Sequence, residues 1–208
     1  MSYAVDPVSS ERRGVATAWP AGERFGIAAA PSGLALVQDV LNTRPSPRKG
    51  FVDLLSTVGS AQRWAAAAMA EWAEAEGHRR RRVQLRTADV DELRQLREQL
   101  AALVRTEDEP VLPALSGLTL TAGTTTDGRL DLEPTESGWQ LVGGAVLLEI
   151  HRAGRLDEWR RLKTCRSSAC PIAFYDRSRN NSRVWHDVTV CGNIANLRAS
   201  RARRRRVV

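Results

Sequence analysis

The first 164 residues contain no cysteine; all three cysteines of the 208-residue chain fall between Cys165 and Cys191. An odd number of thiols gathered at one end is a poor basis for a disulfide framework. No secretory leader is visible, so the expected compartment is the reducing cytoplasm. No uninterrupted apolar run is long enough to span a bilayer, and a membrane is not an expected partner. Glycine-rich phosphate loops of the Walker or dinucleotide type are missing, and no histidine stands beside a nucleophile. An enzyme is therefore not expected. No proline and no Gly/Ser run lies between Arg155 and Lys163, which argues against a floppy linker there. No heptad seam is present either; dimerisation is common in regulators, so a homodimer stays open.

What the chain does have is charge, unevenly spread. The net charge is +7, but from His151 onward fifteen Arg/Lys face four Asp/Glu, a balance of +11, leaving residues 1–150 at −4. Such a concentration commonly meets a phosphate backbone, because each neutralised phosphate releases condensed counterions. The plainer alternative is a solvated basic tail.

The cysteines lie in the same basic region, in the pattern C-x4-C-x15-H-x4-C formed by Cys165, Cys170, His186 and Cys191. Two close ligand pairs joined by a loop offer zinc its tetrahedron at little chain-closure cost. The loop itself, Asp176 to Arg183, is polar and too poor in apolar mass to order itself, and a metal would supply the missing stability. The alternative is three reduced thiols beside an exposed histidine. Short apolar strands are expected on either side of the loop (Ile172, Phe174; Val184, Val188, Val190), and Gly192 is expected to turn the chain into a helix from Asn193 to Arg206. A filled four-ligand site leaves no open position for catalysis. Asp176, flanked by Arg177 and Arg179, reads as an ion-paired structural carboxylate and not as a base.

This stretch resembles the CGNR-type zinc finger: Cys165 and Cys170, then Phe174, Asp176, Ser178 and Arg179, then Arg183 and Trp185, and finally Cys191, Gly192 and Asn193. His186 stands where the family usually has its third cysteine, and Ile194 where it has the arginine of its name. The resemblance implies a treble-clef-like finger with one structural Zn2+ and DNA as partner. On that reading Arg177, Arg179 and Arg183 on the loop and Asn196, Arg198, Arg201, Arg203 and Arg204 on the helix are the candidate DNA-binding residues. The last four arginines, Arg203 to Arg206, read as an electrostatic tail. An adaptor finger that meets an acidic protein is the alternative, to be distinguished by competition with polyanions other than nucleic acid.

Upstream, residues 1–30 show no sustained period and read as a flexible N-terminal arm. Leu34, Val37, Val40 and Leu41 then share a helical face with Ser32 as cap, and Pro45 and Pro47 end the helix. This segment, closing on Asn42 and Thr43, resembles the opening of the ABATE domain, with Asp39 near the usual acidic position. The resemblance implies a domain that senses a small-molecule effector. Asn42 and Thr43, with Arg94 and Arg97 on a later helix, are the candidate effector residues; for Asn42 and Thr43 the competing reading is a plain helix end. A second helix carries Trp64 and Trp72 on one face with Ser60 as its cap, and Gly77 stops it. The run His78 to Arg82 reads as a solvated surface. A third helix, capped by Thr87, has the stripe Leu93, Leu96, Leu100 and Leu103, with Arg94 and Arg97 paired to Glu92 and Glu98. Alternation at Leu118, Leu120, Ala122 and again at Leu130, Leu132 predicts a β-hairpin turning at Asp127-Gly128. A last helix, Gly138 to Gly154, contains Gly143 and Gly144, which predicts a close neighbour there. Trp159 is expected to anchor the finger. The expected architecture is α+β: an arm (1–30), a mainly helical ABATE-like domain with a hairpin (31–160), and a zinc finger with a basic C-terminal helix (161–208).

Overall fold

Helix α2, Leu34–Leu41, is buried on every side, including its two polar residues Gln38 and Asp39. A helix apolar all round belongs inside a protein, and α2 is surrounded by α1 (Pro20–Glu23), α3 (Val58–Glu76), α4 (Thr87–Leu103), α5 (Trp139–Arg155) and strand β4 (Ala173–Tyr175). The structure is a computed structural model that describes residues 19–105, 113–124, 130–194 and 196–197. No helix among the described residues is long and apolar enough to cross a membrane.

The expected arm is corrected over its last part. Trp19, Ala21, Phe25 and Ala30 are buried, and the N–H groups of Ala21 and Gly22 donate to Asp39 Oδ1 at 2.9 and 2.8 Å. A carboxylate inside α2 must find donors, and the free N–H groups at the start of α1 supply them. Residues 1–18 lie outside the described residues.

Several helix starts differ by a few residues from expectation. Ser32 does not cap α2: its φ is 49°, and Gly33 takes the cap position with no side-chain bond. Thr57 caps α3, accepting from the Ser60 N–H while Ser60 Oγ accepts from the Thr57 N–H, a reciprocal pair that satisfies two free donors. Thr87 is the first residue of α4, and Asp89 accepts from the Arg86 N–H at 2.6 Å.

Strands β1 (Leu120–Thr124) and β2 (Leu130–Pro134) pair antiparallel, with Leu120 opposite Pro134 and Ala122 opposite Leu132. The proposed turn at Asp127-Gly128 lies outside the described residues. The hairpin packs on α5 at its two glycines. A Cβ on Gly143 would sit 2.9 Å from Leu118 Cδ1, and one on Gly144 2.7 Å from Pro134 Cβ, so the close neighbour expected from the glycine pair is this hairpin.

Beyond α5, the segment read as a joint forms strand β3 (Leu162–Thr164), which pairs antiparallel with β4: Leu162 opposite Tyr175, Thr164 opposite Ala173. Leu162 and Ala173 belong to the same apolar core as Leu34 and Leu41, and Trp159 packs against it. The second apolar strand after the loop does not form. Val188 and Val190 instead sit in a wide helical turn, Val188–Gly192, capped by Asp187, whose carboxylate accepts from Val190 N at 3.0 Å. The architecture is α+β: a helical domain with one hairpin, then a small hairpin and helix carrying the Cys/His cluster.

Candidate metal centre

The loop that joins β3 to β4 is the first ligand pair. Cys165 follows β3 directly and its N–H donates to Ile172 O at 2.9 Å; the chain then doubles back, with Cys170 N donating to Ser167 O at 2.8 Å. The second pair comes from the far side: His186 closes the polar loop, and Cys191 falls in the turn that Asp187 caps. The four ligand atoms of Cys165, Cys170, His186 and Cys191 lie within 4.8 Å of one another. His186 Nδ1 is 3.4 Å from Cys170 Sγ and 3.7 Å from Cys191 Sγ. Ligands at the usual Zn–S and Zn–N lengths of a tetrahedral site stand about 3.6 Å apart, so this donor set is sized for zinc.

The thiols are already pulled apart in acidity. A hydrogen bond from Cys170, with help from His186 and the Ser167 N–H, brings Cys165 down to about 3 against the effect of burial. The same bond, with burial, pushes Cys170 up, and burial followed by a hydrogen bond with Cys165 and then its charge pushes Cys191 up. A group of sulfurs that already favours one thiolate is suited to lose its remaining protons to a cation. The four residues form a closed site for one structural zinc ion, with three sulfurs and an imidazole to fill the tetrahedron.

Gly192 does not turn the chain as expected. It lies within the helical turn, and a Cβ there would meet Val188 Cγ1 at 3.3 Å and Trp185 Cε3 at 3.4 Å, so the residue is small because the indole lies against it. Asn193, Ile194, Asn196 and Leu197 continue as helix.

The polar loop has more to order it than a metal. Asp176 is fully buried and accepts from Lys163 Nζ, Arg183 N and Ser178 N, each at 2.8 Å. Burial alone would raise its pKa, but these donors outweigh burial and hold the carboxylate well below its usual range. Its ion partner is Lys163 and not the expected neighbours Arg177 and Arg179. Arg161 adds bonds to the carbonyls of Asp176 and Ser178 at 3.0 and 2.9 Å.

The candidate DNA-binding residues part company. Arg177 reaches Ala29 O at 2.6 Å, and Arg183 bonds His186 O at 2.7 Å beneath the Phe174 ring. Arg179 and Asn196 are exposed. Arg198, Arg201, Arg203 and Arg204 lie outside the described residues.

The four candidate effector residues are held by protein partners, although buried Arg97 Nε makes no hydrogen bond among the described residues. Asn42, fully buried, makes a two-point contact with the finger: Nδ2 donates to Ala173 O at 3.0 Å and Oδ1 accepts from Ala173 N at 2.9 Å. Thr43 Oγ1 donates to Val40 O and accepts from Arg97 at 3.1 Å. Arg97 forks onto Asp53 at 2.7 and 3.0 Å, the bidentate geometry a guanidinium favours. Arg94 holds Leu55 O, Ser56 O and Asp91. The expected pairing of Arg94 with Glu92 is replaced by Asp91, and Glu98 bonds Arg44 while lying 3.4 Å from Arg97 Nε.

Of two buried acids, the sequence reading placed Asp39 only by family resemblance and missed Glu149. Asp39 accepts from Trp64 Nε1 at 2.8 Å, and burial, against three hydrogen bonds, raises it to about 6. Glu149 accepts from Trp72 Nε1 at 2.9 Å and is raised to about 7 by burial first, with Glu76 adding to the shift. Trp64 and Trp72 were legible as core; their indole N–H groups, which need acceptors when buried, were the signal that could have found the acids. A cavity of about 260 Å³ bordered by Ser32, Glu76, Glu149 and Arg152 opens beside Glu149.

Residues 34–164 match the model of the ABATE family, "Putative stress-induced transcription regulator", and residues 161–204 match that of the CGNR zinc finger. No curated protein matches the chain.

Proposed function

Because the chain belongs to the ABATE family and carries a CGNR zinc finger, we propose that it is a DNA-binding transcriptional regulator, not an enzyme, whose zinc shapes a treble-clef tip. The observation that carries this reading is the closed Cys165, Cys170, His186 and Cys191 site in the most basic part of the chain. With four protein ligands, zinc has no place for water or substrate, so its contribution is shape. The order of parts agrees with a treble clef: a ligand pair in a hairpin loop, then a helix whose first turn holds the last ligand. The arginines that follow the last ligand then meet phosphates and base edges. Control by a small molecule is the further part of the proposal, supported by the cavity beside Glu149.

The test pairs metal analysis with DNA binding followed by fluorescence anisotropy over a salt series, on the parent and His186→Ala. We expect one zinc per chain and strong salt-dependent binding in the parent, with both reduced in the variant. Binding that survives complete removal of zinc would defeat the reading. Exposed Val188, Val190 and Leu197 on the terminal helix favour the second reading, a protein adaptor. Under it, duplex DNA would compete no better than polyglutamate.

A further inference from the structure

Most of the finger's cations among the described residues are already spoken for. Arg161 holds two carbonyls, Lys163 gives its three protons to Asp176, Asn181 O and Arg183 O, Arg177 reaches Ala29 O, and Arg183 is bound to His186 O. Exposed Arg179 on the polar loop has no side-chain partner among the described residues, and neither have two arginines beside the first ligand pair. Arg166, on the knuckle between the first two ligands, and Arg105, just past the end of α4, are both exposed and have no side-chain partner among the described residues. They come from different domains, yet they border one groove of about 810 Å³ together with Lys163, Arg183, Thr164 and Ser168. No carboxylate borders it among the described residues. Lys163 is neutralised by buried Asp176, which leaves Arg105, Arg166 and Arg183 as its net charge.

The other basic stretch is built differently. Arg79 to Arg82 border a groove shared with Glu133 and Glu136; Arg80 is bridged to Glu74, and Arg81 holds the carbonyls of Pro134 and Thr135. Mixed charge and occupied donors suit a solvated surface, as expected from the sequence. The position of Arg105 also complements the dipole at the end of α4, but that accounts for one arginine and not for a groove whose described lining holds no acid.

We propose that the groove between the end of α4 and the zinc knuckle is a track for the phosphodiester backbone of duplex DNA, with Arg105 and Arg166 as its free donors. The proposal rests on the DNA-binding reading and extends it: the ABATE part touches the duplex itself. Guanidinium forks match phosphate oxygens, and the hydroxyls of Thr164 and Ser168 lie in the same wall to accept a place beside them.

The experiment measures anisotropy of a labelled random-sequence duplex over a salt series with zinc-loaded full chain, comparing the parent, the double variant Arg105→Gln/Arg166→Gln, the pair Arg105→Lys/Arg166→Lys, and Arg82→Gln. Each lost phosphate contact lowers the slope of log K against log salt by about 0.9, which at about 0.15 M salt is about 5-fold in affinity, or about 30-fold for both. The lysine pair, which keeps both charges, is expected to recover most of that loss, and Arg82→Gln to bind like the parent. Should the glutamine pair lose zinc or thermal stability, the two single glutamine variants decide by the same slope. A parent that binds no DNA sinks the functional reading and the track with it. A parent that binds, beside a glutamine pair of unchanged slope, sinks the track alone, as does an equal loss in Arg82→Gln, which would reduce the effect to net charge.

Discussion

Replacing Asn42 by alanine removes the side chain that holds both polar groups of Ala173. The site is fully buried, with contacts of 3.0 Å to the carbonyl and 2.9 Å from the N–H. A buried backbone group left without a partner costs about 1–3 kcal/mol, so two would cost about 2–6 kcal/mol. Gln38 Nε2 already lies 3.4 Å from the same carbonyl and can take over that acceptor, whereas nothing replaces Asn42 Oδ1 for the N–H. The expected loss is therefore at the lower end, about 2–4 kcal/mol, a large part of the roughly 5–15 kcal/mol by which domains are stable. Urea unfolding at fixed free zinc, followed by tryptophan fluorescence, measures it. Asn42→Asp sharpens the test. Its carboxylate can accept from Ala173 N, but the second oxygen must face Ala173 O unless it carries a proton, so folding raises the pKa of the new acid above its unfolded value of about 3.9. The resulting stabilisation is present below the unfolded pKa and lost as pH rises through the folded one. Measured as the difference from Asn42→Ala at each pH, it is freed from the titration of the zinc ligands. A loss under about 1 kcal/mol in Asn42→Ala, with no pH dependence in that difference, would refute the claim that this amide joins the two parts.

Glu149→Gln should flatten the fall of stability with pH. Its carboxyl is raised to about 7, chiefly by burial, from an ordinary value near 4.5, so the stabilisation it lends is full below the unfolded pKa and lost as pH rises through the folded one. The shift is worth about 3 kcal/mol, and glutamine keeps an acceptor for Trp72; an unfolding free energy that falls as steeply between about pH 5 and pH 8 as in the parent would count against it. Gly144→Ala gains helix propensity of about 1 kcal/mol but brings its Cβ to 2.7 Å from Pro134 Cβ. Overpacking of about 1–3 kcal/mol should win, and a variant with a raised thermal midpoint would show that the hairpin yields.

The metal ligands were legible because their evidence is local. Cys165 and Cys170 are near neighbours in sequence, as are His186 and Cys191, and zinc chemistry restricts what such spacing can mean. The hairpin was legible through alternation, and Gly143 with Gly144 signalled a close neighbour on α5 without saying that the hairpin is that neighbour. Strand β3 was not, because three residues are too short for a period, and its partner lies across the knuckle. Val188 and Val190 looked like strand residues since valine favours strands, but the Asp187 cap lies immediately before them and commits the chain to a helical turn. The segment 19–30 lacked a pattern of its own, and its order comes from a distant carboxylate, Asp39, that no local rule could connect to Ala21 and Gly22. Arg97 pairs with the expected Glu98 at 3.4 Å, but its bidentate partner Asp53 was not legible for the same reason: it is brought up by folding and not by helical spacing.

The contact between Asn42 and Ala173 limits how this tip could be exchanged with another. A transplanted finger would have to offer an unencumbered peptide edge at the same place, beside a residue no larger than alanine, or leave an amide stranded inside its host. Chimeras cut between residues 160 and 161 should therefore fail unless the donor segment brings its own matching helix.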